Sequence, residues 1–248
     1  MSVVYILWLR QLKRSSRSKA RIVASFGQPL LFLLAFGFGF GPVFSRAGQG
    51  NYIQFLAPGV IAMSILFTAI FAGIEVIWDR QFGFLKETLV APVPRILIML
   101  GRTLGGATVA VLQGILVFGL CLLVGFRPAT LSLVPLGLLY MLLTALLFTA
   151  VGTALGSMMP DFQAFQLVMN FLVMPIFFLS GALFPLTNVP RALLIVASLD
   201  PLSYSVDGLR HSLIGLAHFG ATLDLAVLSV VTAGVLVLGA FAFSKIQV

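Results

Sequence analysis

Asp207, His211 and His218 form the one stretch of this sequence in which imidazole meets carboxylate, and both histidines of the chain lie there. Spacings of four and seven residues would set them on successive turns of a helix, where such groups can ligate zinc. A closed tetrahedral site needs a fourth donor, and no H-E-x-x-H motif accompanies them. The pattern fits a polar cap over a half-buried turn, and no metal site is expected. Glu75 is the other candidate, the only acid well inside a long apolar run and four residues before that run turns polar. An ionisable group in such a setting is a functional suspect. It could bridge to Arg80 or Arg102, or act as a relay.

The remaining chemistry is defined by absences. The four lysines follow Leu12, Ser18, Leu85 and Ser244, so no G-x-x-x-x-G-K-[ST] loop exists and the chain has no Walker A site for ATP. The run Gly37 to Pro42, GFGFGP, has the glycines of a phosphate loop without the following lysine or helix start, and suits close helix packing instead. The small-residue pairs Gly101/Gly105 and Gly152/Gly156 have the same use. There is no G-x-S-x-G elbow, so no catalytic residue is assigned and the chain is not expected to be an enzyme.

These groups must be positioned by a membrane. Hydrophobic residues make up 60% of the 248, 23 of them Phe, and the mean hydropathy is +1.13, which excludes an ordinary soluble domain. Runs long enough to cross a hydrocarbon core of roughly 30 Å, at about 20 residues each, fall at 22–42, 55–77, 96–124, 131–158, 164–183 and 222–244. They show no period-two alternation, so helices rather than a barrel satisfy the backbone. The expected fold is all-α and integral to the membrane: six transmembrane helices in a single domain over 1–248. An outer re-entrant segment over 184–221, broken by Pro185, Pro190 and Pro201, separates the fifth helix from the sixth.

Residues 3–21 suit an interfacial helix, with Tyr5, Trp8, Leu9 and Leu12 on one side and Arg10, Lys13, Arg14, Arg17 and Arg21 on the other. With the N-terminus inside, eleven of the fifteen Lys and Arg fall on the cytoplasmic side and four outside, namely Arg46, Arg127, Arg191 and Arg210. The positive-inside rule therefore favours cytoplasmic termini. Topology and anionic lipid explain the net charge of +8, and no nucleic-acid partner is expected. No A-x-A-like cleavage site follows the first span, which is expected to stay as a signal anchor. The lone Cys121 carries no redox information. A proton-coupled carrier would need acids near mid-membrane, and none is there.

Between the second and third spans lies DRQFGFLKETLVAPVPR, residues 79–95, with five charges in a chain that is only 9% charged. Phe82, Phe84, Leu85, Leu89 and Val90 give it an apolar side, and Pro92 and Pro94 end it. Aromatic residues on a loop with no domain to bury them predict a protein partner. This segment, with LGRTLGG at 100–106, resembles the first cytoplasmic loop of ABC transporter permeases of the type-2 exporter family, the daunorubicin-resistance-like branch in particular. SGALFPLTNVPRALLIVASLDPLSYSVDGLRHSLIG, residues 180–215, is similar to that family's outer segment, with Asp200-Pro201 where the family has Asn-Pro.

The resemblance implies a six-helix half-transporter in the plasma membrane of a bacterial or archaeal cell, working as a homodimer with two copies of a separate ATPase subunit. ATP and magnesium would act through that partner, with none bound by this chain. Arg80, Phe82, Gly83, Phe84, Leu85, Lys86, Glu87 and Leu89 would form the coupling helix that docks on the ATPase. Met63, Phe67 and Phe71 on the second helix, with Asn170, Phe171, Met174 and Phe178 on the fifth, would line the substrate path. Glu75 would then report nucleotide state to the membrane. Phe and Met surfaces with few charges suit a hydrophobic or amphipathic drug-like or lipid-like cargo. Export of a cell-wall polymer or glycolipid, and ion-coupled carriage, are the alternatives.

Overall fold

The structure is a computed structural model describing residues 2–47, 50–84, 93–187 and 189–244, the side chains of 19–22 and 242–244 excepted. Its helices are α1 (Val3–Arg17), α2 (Lys19–Arg46), α3 (Tyr52–Gln81), α4 (Arg95–Val124), α5 (Val134–Met158), α6 (Phe162–Leu179), α7 (Arg191–Leu199), α8 (Pro201–Ile214) and α9 (Ala221–Ser244). Among the described residues there is no strand. Among the described residues six helices are long and apolar enough to cross a membrane: α2, α3, α4, α5 with the turn before it, α6 and α9. The chain is thus an all-α, multi-pass membrane protein, as its composition requires.

α3 is the centre. Its most apolar stretch is 83% buried, against 17% for α2 and 22% for α9. A helix apolar on every side must be enclosed by protein or lipid, and α3 is enclosed chiefly by α5, α4 and α2. Its crossing with α5 depends on missing side chains. A Cβ on Gly73 would collide with the Gly152 carbonyl, one on Gly156 with the Gly73 carbonyl, and one on Gly152 would sit 2.5 Å from the Ile70 carbonyl. The Gly152/Gly156 spacing therefore does bring two backbones together. Of the glycines in GFGFGP only Gly37 is a packing contact, against Ile53; nothing lies within 4 Å of a Cβ at Gly39 or Gly41, and α2 runs on through Pro42.

α6 changes winding midway. Pro175 has no N–H to give the Phe171 carbonyl, and its ring crowds that turn. Residues Met169–Val173 form a π segment, and Met174 N–H bonds to the Met169 carbonyl five residues back. Such widened turns recur at functional sites.

α7 and α8 meet at 90° around Asp200. Its carboxylate accepts the Leu202 N–H at 2.8 Å, and Pro201 occupies the first helical position, where its missing donor costs nothing. α8 is buried along nearly its whole length, while Ile195, Val196 and Leu199 of α7 are exposed. The segment over 184–221 is therefore a bent helix pair, one arm inside the protein and one on its surface.

Two expectations change. The wheel for 3–21 places the arginines on the outer face of the first helix, yet α1 lies along α4 and turns Arg10 and Arg14 inward. Leu7 packs on Gly101 and Gln11 on Gly105, where a Cβ would come within 2.9 and 2.6 Å of them. Trp8, placed on the apolar side, donates to Thr108 Oγ1 at 3.0 Å. Here α1 is oriented by the glycines of α4 and the acids of α3, which a single-helix wheel does not contain. The stretch 79–95, expected as a cytoplasmic coupling helix, begins inside a long helix, because Asp79, Arg80 and Gln81 are the last turn of α3, and its residues 85–92 lie outside the described residues.

Candidate functional site

At the end of the bundle where the basic residues gather, α1, α3 and α4 meet on one carboxylate. Glu75 and Asp79 are four apart on α3, and Arg10 and Arg14 four apart on α1, so each pair occupies a single helix face. Asp79 takes a bidentate pair of bonds from Arg10, at 2.9 and 3.0 Å, and a third bond from Arg102 Nη2 at 2.6 Å. Arg14 lies 3.6 Å from Asp79 and 3.7 Å from Glu75. The side chains of Asp79 and Arg102 are each 6% exposed, that of Arg10 32%. Charge-assisted forks of this kind fix orientation as well as distance. Three guanidiniums face two carboxylates, and their geometry joins three helices into one unit.

The chain leaves α3 directly from this unit. Phe82 is 84% exposed, Gly83 has φ +78°, and the Arg10 guanidinium lies 3.8 Å over the Phe84 ring. The same arginine thus holds Asp79 and the first residues of the connecting loop. Arg80 turns elsewhere and donates to the Ser157 and Met159 carbonyls at the end of α5, where a helix leaves acceptors unfilled. Leu85, Lys86, Glu87 and Leu89 lie outside the described residues.

Glu75 meets Arg14 at the salt-bridge distance above, and Arg80 reaches α5 instead. Glu75 also lines a crevice of about 180 Å³ with Phe71, Gln113 and Ser25, in which Ser25 Oγ donates to Gln113 Oε1 at 2.9 Å. Phe67, Phe71, Glu75 and Asp79 follow one another at four-residue steps, so one stripe of α3 runs from aromatic to acidic.

Of the residues assigned to a path, Phe67 packs its ring 6.4 Å from Phe71 and 6.1 Å from Phe177 of α6. Phe71, Asn170, Phe171, Met174 and Phe178 reach the surface, Phe171 most of all at 81%. Met63 does not: it is 1% exposed, inside the core of this chain. Asn170 and Phe171 belong to the π segment.

No group of three or more His, Cys, Asp or Glu close enough to hold a metal occurs among the described residues. Asp207 accepts backbone N–H bonds from His218, at 2.8 Å to each oxygen, and from Phe219 at 2.7 Å. It is the polar cap of a turn. Asp79 is the residue the sequence reading passes over: it sits at the head of the polar stretch and looks like loop. Its signal is a pair of acids at helical spacing with a pair of arginines at the same spacing elsewhere in the chain.

Known proteins resemble this chain along most of its length. Nodulation protein J of Rhizobium leguminosarum bv. trifolii is 30% identical over 219 residues, 85% of this chain and 78% of the other. The inner membrane transport permease YadH of Escherichia coli K12 is 29% identical over 212 residues, covering 85% and 82%. The ycf38 protein of Pyropia yezoensis is 33% identical over 201 residues, covering 79% and 68%. The family model for the ABC-2 type transporter matches residues 2–214, from the arginine-bearing α1 through the buried α8, and the chain is accordingly a member of the ABC-2 type transporter family.

Proposed function

We propose that this chain is the non-catalytic membrane half of an ATP-driven exporter, paired with a second copy of itself and with two copies of a separate ATPase subunit. The observation that carries the reading is the attachment of α1, α3 and α4 to Asp79, three residues before the exposed Phe82. A push on the loop that follows α3 reaches three helices at once. The ATPase supplies that push when ATP and magnesium close it, and the differential binding of nucleotide to its closed form drives the change. Coupling falls to Phe82, Gly83 and Phe84 with Leu85, Lys86, Glu87 and Leu89 beyond them. The loop and both termini lie on the cytoplasmic side of a cell membrane, as the distribution of Lys and Arg favours.

The surface offered by Phe67, Phe71, Asn170, Phe171, Met174 and Phe178 suits a hydrophobic or amphipathic cargo, drug-like or lipid-like. The widened turn at Met169–Val173 sits in the middle of it. Coexpression with Walker-type ATPase subunits of the same organism, followed by reconstitution in liposomes, tests the reading. Wild type is expected to copurify with the ATPase and to export cargo on ATP. Phe82→Asp is expected to leave the fold intact and to cut cargo-stimulated hydrolysis at least tenfold. Failure of any ATPase to associate in mild detergent, or full transport by Phe82→Asp, refutes it.

A further inference from the structure

At the end of the bundle opposite Asp79, two chambers share a wall. One, of about 530 Å³, carries the polar groups: Arg127, which follows α4, Arg210 from α8, and Asn51 and His218 all line it. The other, of about 460 Å³, is lined by Phe36, Phe40, Val43, Phe44, Tyr52 and Phe184 among others. Its one hydroxyl, on Tyr52, is already bonded to the Leu183 carbonyl at 2.7 Å. Phe44 and Pro185 line both chambers. Each volume falls in the range of about 300–1,000 Å³ typical of small-molecule sites.

The charges in the polar chamber are arranged for an anion. Asp207 lines it too and its negative charge acts on Arg210, but its oxygens are turned to three backbone bonds from His218 and Phe219, and two guanidiniums against one carboxylate leave the chamber with a net positive charge. Neither guanidinium is in a salt bridge among the described residues. Arg127 donates to the Leu122 and Phe126 carbonyls, and Arg210 to those of Gly181 and, at 3.5 Å, Phe55. Arg210 is 7% exposed, lies 3.8 Å over the Phe55 ring, and its Nε has no hydrogen-bond partner. A buried cation with unused donors is costly unless an anion completes it. Phe40 and Val43, which line the apolar chamber, are 54% and 63% exposed on a helix long and apolar enough to cross the membrane. Apolar surface left exposed on such a helix meets acyl chains rather than water.

We infer that this pair of chambers binds one anionic phospholipid, its phosphate between Arg127 and Arg210 and one acyl chain in the chamber of Phe36, Phe40 and Phe44. The site requires only that the chain span a membrane. It is independent of the export reading, since lost ATPase coupling with lipid preference intact would remove one and keep the other.

Purified full-length protein in detergent, titrated separately with dioleoylphosphatidylglycerol and dioleoylphosphatidylcholine and read by native mass spectrometry, tests the inference. Wild type is expected to retain the anionic lipid about tenfold better, the effect of one charge-assisted hydrogen bond. Arg127→Gln should bring the two lipids near parity. Val43→Trp, which fills the apolar chamber, should lower retention of both, while Phe38→Trp on the other side of α2 should change neither. A phosphatidylglycerol carrying a diazirine in its acyl chain should label peptides containing residues 36–44 and 183–185. Equal retention of both lipids by wild type, or labelling that avoids those peptides, overturns the inference. So does an efficient disulfide between two copies of a Val43→Cys variant, which would make the second copy the occupant.

Discussion

Replacing Asp79 with Asn keeps the shape of the side chain and removes its charge, which isolates the joint at the basic end. Three bonds at 2.6, 2.9 and 3.0 Å lose their ionic acceptor. The two from Arg10 belong to a side chain 32% exposed, where water takes up much of the loss and about 0–1 kcal/mol is expected. Arg102 is different. At 6% exposure its charge has nowhere to go, and breaking a buried pair by removing one partner costs about 3–5 kcal/mol. The sum is about 4 kcal/mol, which at about 2–4 °C per kcal/mol for a chain of this size lowers the melting temperature in detergent by about 8–16 °C. Arg10→Gln should lower it by no more than about 4 °C on the same scale. The combined Asp79→Asn, Arg102→Met change should recover part of the loss, because no buried charge is then left unpaired. A shift below 2 °C for Asp79→Asn, or a double variant worse than the sum of its parts, would refute the joint.

Other substitutions address packing and caps. Gly73→Ala drives a methyl into the Gly152 carbonyl and should cost at least about 1–3 kcal/mol, seen as lower yield of monodisperse protein and a lower melting temperature. Met63→Ala empties a site 1% exposed and should destabilise by about 2–5 kcal/mol. Phe171→Ala, at 81% exposure, should leave stability within about 0.5 kcal/mol while altering cargo-stimulated turnover; the reverse pattern would exchange their roles. Asp200→Ala removes the cap of α8 and should cost about 0.5–2 kcal/mol, with Asp200→Asn close to neutral.

Much of the architecture was legible in the residues because length and apolarity bear on the bilayer directly. Each of the six spans is found within a few residues of where hydropathy places it, and the bend at Asp200-Pro201 follows from a cap and a ring without a donor. The Gly152/Gly156 spacing signalled a close crossing because a missing Cβ has few other uses in such a helix. The candidate site was legible only in part. Phe82 is exposed just past the end of α3, while Asp79, which reads as loop, is buried and Arg80 donates to carbonyls at the end of α5. A helix that ends on a polar segment has no boundary in composition alone.

Number and order of spans, the all-α class and the absence of a Walker loop were therefore properties of the sequence by itself, since each depends on local chemistry and chain length. Only the tertiary structure decided that Arg10 meets Asp79 across 69 residues of chain, that Met63 is enclosed while Phe171 is open, and that two chambers share Phe44. Those facts depend on which helix lies beside which. An apolar helix in a membrane has no water to tell its faces apart, so its orientation comes from glycine clefts and buried charges on its neighbours.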